Sequence, residues 1–256
     1  MKKLLAILAV LVLASFAGMG TASAIVGGSP DTVDRPWMGS LQQKSDGAHG
    51  CGTSLIAARW AVTAYHCVSQ WQSTPDLVQI RFNTMDRTIG GVLVGVESVH
   101  VPQGANIVGN DIALLKLDAP VNLPVAKLAD VSPAIGSNVT MIGWGLTCAQ
   151  SLPGIAYCGQ PPVARQTTTV RLNPDWQCLS IGTGIVGDRE LCVGSYFEGK
   201  SACYGDSGGP SIVGDRLVGV TSRQPHVFLY GNCYIAPAIY TDVTPHRDWI
   251  RSLTGV

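Results

Sequence analysis

The sequence predicts an all-β fold of barrels or sandwiches with a helix at its C-terminal end, and three observations carry that expectation. Charged residues make up only 13% of the 256-residue chain, while 30 Gly and 15 Pro supply abundant turn punctuation. Short runs rich in Val, Ile and Thr recur between those turn residues. Few stretches repeat with a period near 3.6, and no internal repeat, low-complexity tract or linker divides the chain. Two lobes would therefore have to share their core tightly.

The first segment is a targeting signal. Lys2 and Lys3 open a short basic start, Leu4 to Phe16 is almost wholly apolar, and Ala22-Ser23-Ala24 has the A-x-A form of a cleavage site. The apolar run falls short of the ~20 residues that span a bilayer. Residues 1–24 are thus read as a signal peptide of the general secretion route, and 25–256 as the working domain of a secreted, extracellular protein. Without Lys2 and Lys3 the domain carries 15 basic and 17 acidic residues, a net of −2. That balance argues against nucleic acid or an anionic membrane as partner. All eight cysteines lie beyond residue 24. An even number in an exported chain predicts four disulfides, among about 105 possible connectivities.

The expected strands follow in order: Ala61–Thr63, Val78–Phe82, Val92–Val94, Ile112–Leu115, Val139–Ile142, Thr167–Val170, Leu217–Thr221 and Ile239–Thr241. Near the end, Thr244 is placed to cap an amphipathic helix over Pro245–Leu253, with Pro245 at its first position.

Cys203-Tyr204-Gly205-Asp206-Ser207-Gly208-Gly209-Pro210 is the densest chemical signal. Glycines on both sides of Ser207 permit a sharp turn that exposes the serine and brings N–H groups close to a reacting atom. Serine needs a base to take its proton and a carboxylate to orient that base. Thr63-Ala64-Tyr65-His66-Cys67 offers the first and Asn110-Asp111-Ile112 the second. The other histidines, His49, His100, His226 and His246, lack such a setting and are read as surface or loop residues. Gly205-Asp206-Ser207-Gly208-Gly209 also satisfies G-x-S-x-G, but the α/β fold behind that elbow needs helices between the strands, and their period is missing. H-E-x-x-H is absent and the cysteines are read as disulfides, so neither metal nor cofactor is expected.

Taken together, IVGG at 25–28, CGTSLI at 51–56, TAYHC at 63–67, DIALL at 111–115, GWG at 143–145, GDSGGP at 205–210 and VGVTS at 218–222 resemble the chymotrypsin-like, or trypsin-like, serine peptidases over the whole domain. The resemblance implies two packed six-stranded antiparallel β-barrels with the catalytic residues in the cleft between them. It implies His66 as general base, Asp111 as its orienting partner, Ser207 as nucleophile and the N–H groups of Gly205 and Ser207 as oxyanion hole. Ser222 matches the serine that hydrogen-bonds the buried aspartate. Cys51 would pair with Cys67, Cys178 with Cys192 and Cys203 with Cys233, which leaves Cys148 and Cys158 to pair with each other. Partners would be protein or peptide substrates and protein protease inhibitors, acting on a monomer.

The substrate pocket departs from the best-known members. Its floor falls on Ser201, where trypsins carry an aspartate that attracts Lys or Arg, so a basic side chain would be buried unpaired. After Ser222 the usual Trp-Gly is replaced by Arg223-Gln224, with a shift of one still open in the alignment, and a wall glycine is replaced by Ala238. These changes predict small to medium apolar residues before the cut. Tyr65 stands where an alanine is usual. A catalytically silent scaffold is the rival from another class, although His66, Asp111, Ser207, both oxyanion positions and the IVGG end are all present. In this family a freed IVGG end folds inward and pairs its ammonium with the aspartate before the nucleophile, here Asp206. The A-x-A site abuts Ile25, so signal cleavage alone would create that end; a cut after Ala17 would instead leave Gly18–Ala24 as an activation peptide.

Overall fold

The computed structural model describes residues 25–147, 160–179, 184–225, 233 and 236–256. The chain opens with a short strand, β1 (Ser29–Pro30), and then builds a closed six-stranded barrel. Its strands are β2 (Met38–Gln43), β3 (His49–Ala57), β4 (Trp60–Thr63), β5 (Val78–Phe82), β6 (Val92–His100) and β7 (Ala113–Leu117). All neighbours run antiparallel, in the ring order β2-β3-β4-β7-β6-β5. Strand β5 shows why: Val78, Ile80 and Phe82 are buried while Gln79 and Arg81 are half-exposed, the period of two that a barrel wall demands.

The second barrel follows β8 (Lys127–Leu128) and comprises β9 (Asn138–Gly143), β10 (Gln166–Asn173), β11 (Glu190–Val193), β12 (Pro210–Val213), β13 (Arg216–Arg223) and β14 (Ala238–Asp242). Pairing runs β9-β10-β11-β14-β13-β12 and returns from β12 to β9, closing the ring. Strand β1 adds to the edge of β10 and β8 lies parallel to β13.

The barrels share a core, as the absence of a linker predicts. Leu217, Val220, Val243 and Ile250, from the C-terminal half, belong to the same apolar cluster as Leu55, Ile80, Phe82 and Leu114 of the first barrel. Backbone meets backbone at Gly52, whose N–H donates to Ser207 O at 2.7 Å; a Cβ on Gly52 would lie 2.6 Å from Gly209 Cα. Only glycine permits that approach.

Seven of the eight expected strands fall within observed ones, and the eighth, Ile112–Leu115, begins one residue before β7 at Ala113. The C-terminal helix differs in its start. Thr244–His246 forms a 3-10 turn with Pro245 near its beginning, and the α-helix α2 spans Arg247–Thr254. Thr244 makes no capping bond from its side chain; Asp242 Oδ1 accepts Thr244 N–H at 2.8 Å and does the capping instead.

Candidate active site

Strand pairing brings the first two chemical residues together. Thr63 at the end of β4 stands opposite Ala113 at the start of β7. His66, on the one-turn helix α1 (Tyr65–Val68), and Asp111 therefore leave the same end of one strand pair. His66 Nδ1 lies 2.7 Å from Asp111 Oδ2, and His66 N–H donates to Asp111 Oδ1 at 2.9 Å. The carboxylate is fully buried, which leaves imidazole, backbone and hydroxyl as its solvation. Ser222 Oγ donates to Asp111 Oδ2 at 2.7 Å, and Thr241 Oγ1 holds Asp111 O at 3.0 Å. Two strands of the second barrel thus hold a residue of the first.

Ser207 reaches the cleft on the turn before β12. Asp206 N–H donates to Cys203 O, Gly209 N–H to Asp206 O, and Gly208 N–H to Thr221 O, all within 2.9 Å. Gly208, at φ +74°, is pressed against the turn that leads to His66: a Cβ there would lie 2.2 Å from Thr63 Oγ1 and 3.1 Å from Ala64 N. Ser207 Oγ makes no hydrogen bond to His66 in this conformation. The N–H groups of Gly205 and Ser207 likewise donate to no protein acceptor among the described residues. Free donors beside a free serine hydroxyl are what an oxyanion would occupy.

One residue that the sequence reading dismissed belongs to this site. His49 is not a surface bystander. Its Nδ1 sits 2.7 Å from Ser40 Oγ, its Nε2 sits 2.9 Å from Gly205 O, and its ring packs edge-on against Trp144. Burial pushes its pKa down to about 4, so the ring is neutral at working pH and Nε2–H donates to Gly205 O. That bond orients the peptide group following Gly205, which has φ +96°. His246 is also buried, with its pKa lowered to about 4 by burial, and His100 packs against Trp60. His226 lies outside the described residues. No sequence motif around His49 marks its role, because its partners are 9 and 156 residues away.

Asp206 is 1% exposed, and among the described residues its carboxylate accepts two backbone N–H groups, from Gly145 at 2.8 Å and Cys203 at 2.9 Å. Burial pushes its pKa up to about 7. The GWG signature follows from this carboxylate. A Cβ on Gly143 or Gly145 would stand 2.0 or 2.4 Å from an Asp206 oxygen. Ile25 is fully buried with φ +67°, and Val26 exchanges backbone hydrogen bonds with Ser201 at 3.0 and 3.2 Å.

Of the four expected pocket residues, the structure brings two into contact. Gln224 Nε2 donates to Ala202 O at 3.0 Å and reaches Ser201 Oγ at 3.4 Å. Ser222 donates to Asp111, the bond the family resemblance implies, and Ala238 is buried in the core of the second barrel. Disulfides join Cys51 to Cys67, Cys178 to Cys192 and Cys203 to Cys233. The first ties the His66 helix to β3, and the third holds the loop before Ser207. Cys148 and Cys158 lie outside the described residues. Sγ atoms of Cys51 and Cys67 cluster with His66, but they are spent in their mutual bond and cannot act as thiolate ligands.

The trypsin family model matches residues 25–250. Trypsin alpha of Drosophila melanogaster is 34% identical over 237 residues, covering 89% of this chain and 86% of that protein. Trypsin beta of Drosophila erecta is 33% identical over 235 residues, 88% of this chain and 87% of that protein. Trypsin alpha-4 of Lucilia cuprina is 32% identical over 238 residues, 89% and 86% of the two chains. Two closed barrels, a buried Asp-His contact in the cleft between them, and full-length similarity to trypsins place this chain in the trypsin family as a serine endopeptidase.

Proposed function

We propose that the chain is exported and hydrolyses peptide bonds through an acyl-enzyme on Ser207, with small to medium apolar residues preferred before the cut. The supporting observation is the double contact between His66 and fully buried Asp111, beside the turn that presents Ser207. Asp111 accepts a hydrogen bond from Nδ1–H, which leaves Nε2 as the base that takes the Ser207 proton during attack and returns it to the leaving amine. The N–H groups of Gly205 and Ser207 then bind the oxyanion, a donor being worth about 2.7–4 kcal/mol of barrier. Cleavage before Ile25 supplies an ammonium that pairs with Asp206 and fixes that hole. Three disulfides and the lack, among the described residues, of a helix able to cross a membrane are consistent with an exported peptidase.

Selectivity rests on Gln224, whose amide runs from the pocket wall to its floor at Ser201. The family resemblance puts a Lys- or Arg-attracting aspartate at this floor position in trypsins, whereas Ser201 here is neutral and already hydrogen-bonded. A serine-reactive phosphonate should label wild type but not Ser207→Ala, and profiling on a peptide library should favour Ala, Val, Leu or Met over Lys, Arg or Asp. Gln224→Gly should extend the preference to larger apolar residues. Dominant cleavage after Arg or Lys would overturn the pocket reading and leave the mechanism standing.

A further inference from the structure

We propose that Glu190 and Arg223 form a positioning pair that holds the Asp111 segment in register from the second barrel. The proposal rests on the reading of Asp111 as the carboxylate that orients His66. Arg223, at the end of β13, lays its guanidinium in fork geometry on Glu190 of β11, with Nη1–Oε1 at 2.5 Å and Nη2–Oε2 at 2.9 Å. Both groups are taken out of water: the Glu190 side chain is 0% exposed and that of Arg223 is 9% exposed.

Each partner also grips the chain that leads into Asp111. Glu190 Oε1 accepts Gly109 N–H at 2.7 Å and Arg223 Nη1 donates to Ile107 O at 2.9 Å. Their other halves, Oε2 and Nη2, anchor Val186 N and Gly184 O at 2.8 and 3.1 Å. Gly109, at φ +78°, sits so close to Val186 that a Cβ would lie 3.0 Å from its methyl group. Segment 107–110 is therefore clamped at two points immediately before Asp111. The residue preceding Arg223 completes the device, since Ser222 Oγ contacts both Ile107 O at 3.3 Å and the Asp111 carboxylate at 2.7 Å.

Energetics favour a role in positioning over bulk stability. A buried ion pair gains little over an apolar replacement, but losing one partner strands the other charge. What the pair supplies is geometry, in a place where a displacement of about 1 Å costs about 100-fold in rate. The position of Arg223 matters for this reason: an aromatic residue there could not reach both a carboxylate and a carbonyl.

The test compares Glu190→Gln, Arg223→Met and Arg223→Lys on active-site-titrated enzyme with a small ester substrate, and follows the low-field NMR resonance of the His66 Nδ1 proton. Expected are a fall of about 100-fold in kcat with little change in KM for the first two variants, an altered or lost Nδ1 resonance, and partial recovery of both in Arg223→Lys. Folded variants with wild-type kcat and resonance would overturn the proposal, as would a loss confined to KM or melting temperature. Should either disruptive variant fail to fold, Arg223→Lys decides, because a charge without the fork should still lower kcat. Asp111→Asn separates the underlying reading: full activity there would refute the triad itself, whereas an inactive Asp111→Asn beside unaffected pair variants refutes only the clamp.

Discussion

Two buried aspartates stand within one cleft, and they are solvated in opposite ways. Asp111 accepts hydrogen bonds from an imidazole, a serine hydroxyl and a backbone N–H. Asp206 has two backbone N–H groups and no side-chain donor among the described residues, and burial raises its pKa to about 7. A carboxylate kept out of water needs a cation or several donors to stay ionised. Asp111 has that support in the folded chain as it stands. Asp206 lacks it among the described residues, and the proposed cleavage before fully buried Ile25 would supply it as a new ammonium. The difference separates a carboxylate that folding alone supports from one that, under the proposed activation, gains its support only after cleavage.

Replacing the supported aspartate should have the largest effect. Asp111→Asn removes the acceptor that fixes the Nδ1 proton, so His66 holds the wrong tautomer and kcat should fall by about four orders of magnitude. Single-turnover kinetics on folded protein would show it; a loss under tenfold would mean that Asp111 does not orient the base.

Replacing the unsupported aspartate should cost less. Asp206→Asn keeps a hydrogen-bonding shape but cannot pair with an ammonium, so the turn bearing Gly205 and Ser207 loses its anchor. A loss of one oxyanion donor corresponds to about 10²–10³ in kcat. Phosphonate labelling should slow in parallel while the melting temperature of the uncleaved chain holds or rises. An unaffected kcat would break the link between the Ile25 end and the oxyanion hole.

The pH dependence of stability sharpens the same contrast. In the uncleaved chain, folding raises the Asp206 pKa from an ordinary 3.8 to about 7. Between those values the native state holds a proton that the unfolded state has released. Stability therefore falls as pH rises from about 4 to about 7 and levels off above, by up to a few kcal/mol at about 1.4 kcal/mol per unit. Denaturant titration of uncleaved Ser207→Ala should show this slope, and Asp206→Asn should flatten it. Cleavage before Ile25 should flatten it too, since a paired ammonium keeps the carboxylate ionised.

The sequence made the strands legible wherever apolar residues alternate, as in Val78, Ile80 and Phe82, and the residues of the site were legible because glycine, serine and histidine stand in dense local motifs. Strands β2, β3, β11 and β12 escaped because Gly, Ser, Gln, Glu or Pro stand among their apolar residues, as in MGSLQQ, HGCGTSLIA, ELCV and PSIV, in place of a run of Val, Ile and Thr. The Arg223–Glu190 pair escaped for another reason. Its members are 33 residues apart and meet only when β11, β14 and β13 lie side by side. Arg223 read as a pocket residue of open alignment, whereas its guanidinium is spent on a carboxylate and two carbonyls.

His49 gives the smallest and most discriminating test. It hydrogen-bonds neither aspartate; it donates to Gly205 O at 2.9 Å, on the turn that carries Asp206 and Ser207, with Ser40 Oγ fixing the tautomer from the other side. Losing a neutral hydrogen bond of this kind costs about 1 kcal/mol, so His49→Ala should lower kcat by about fivefold. Ser40→Ala should cost less, because Nε2–H can still donate. The pH profile separates His49 from the general base. With a pKa lowered to about 4, His49 is neutral across the working range, and its removal should leave the acid limb of kcat/KM where it was. If that limb moved in His49→Ala, the protonation seen in the wild-type profile would include His49 as well as His66, and the oxyanion turn would be under the control of a second titrating histidine.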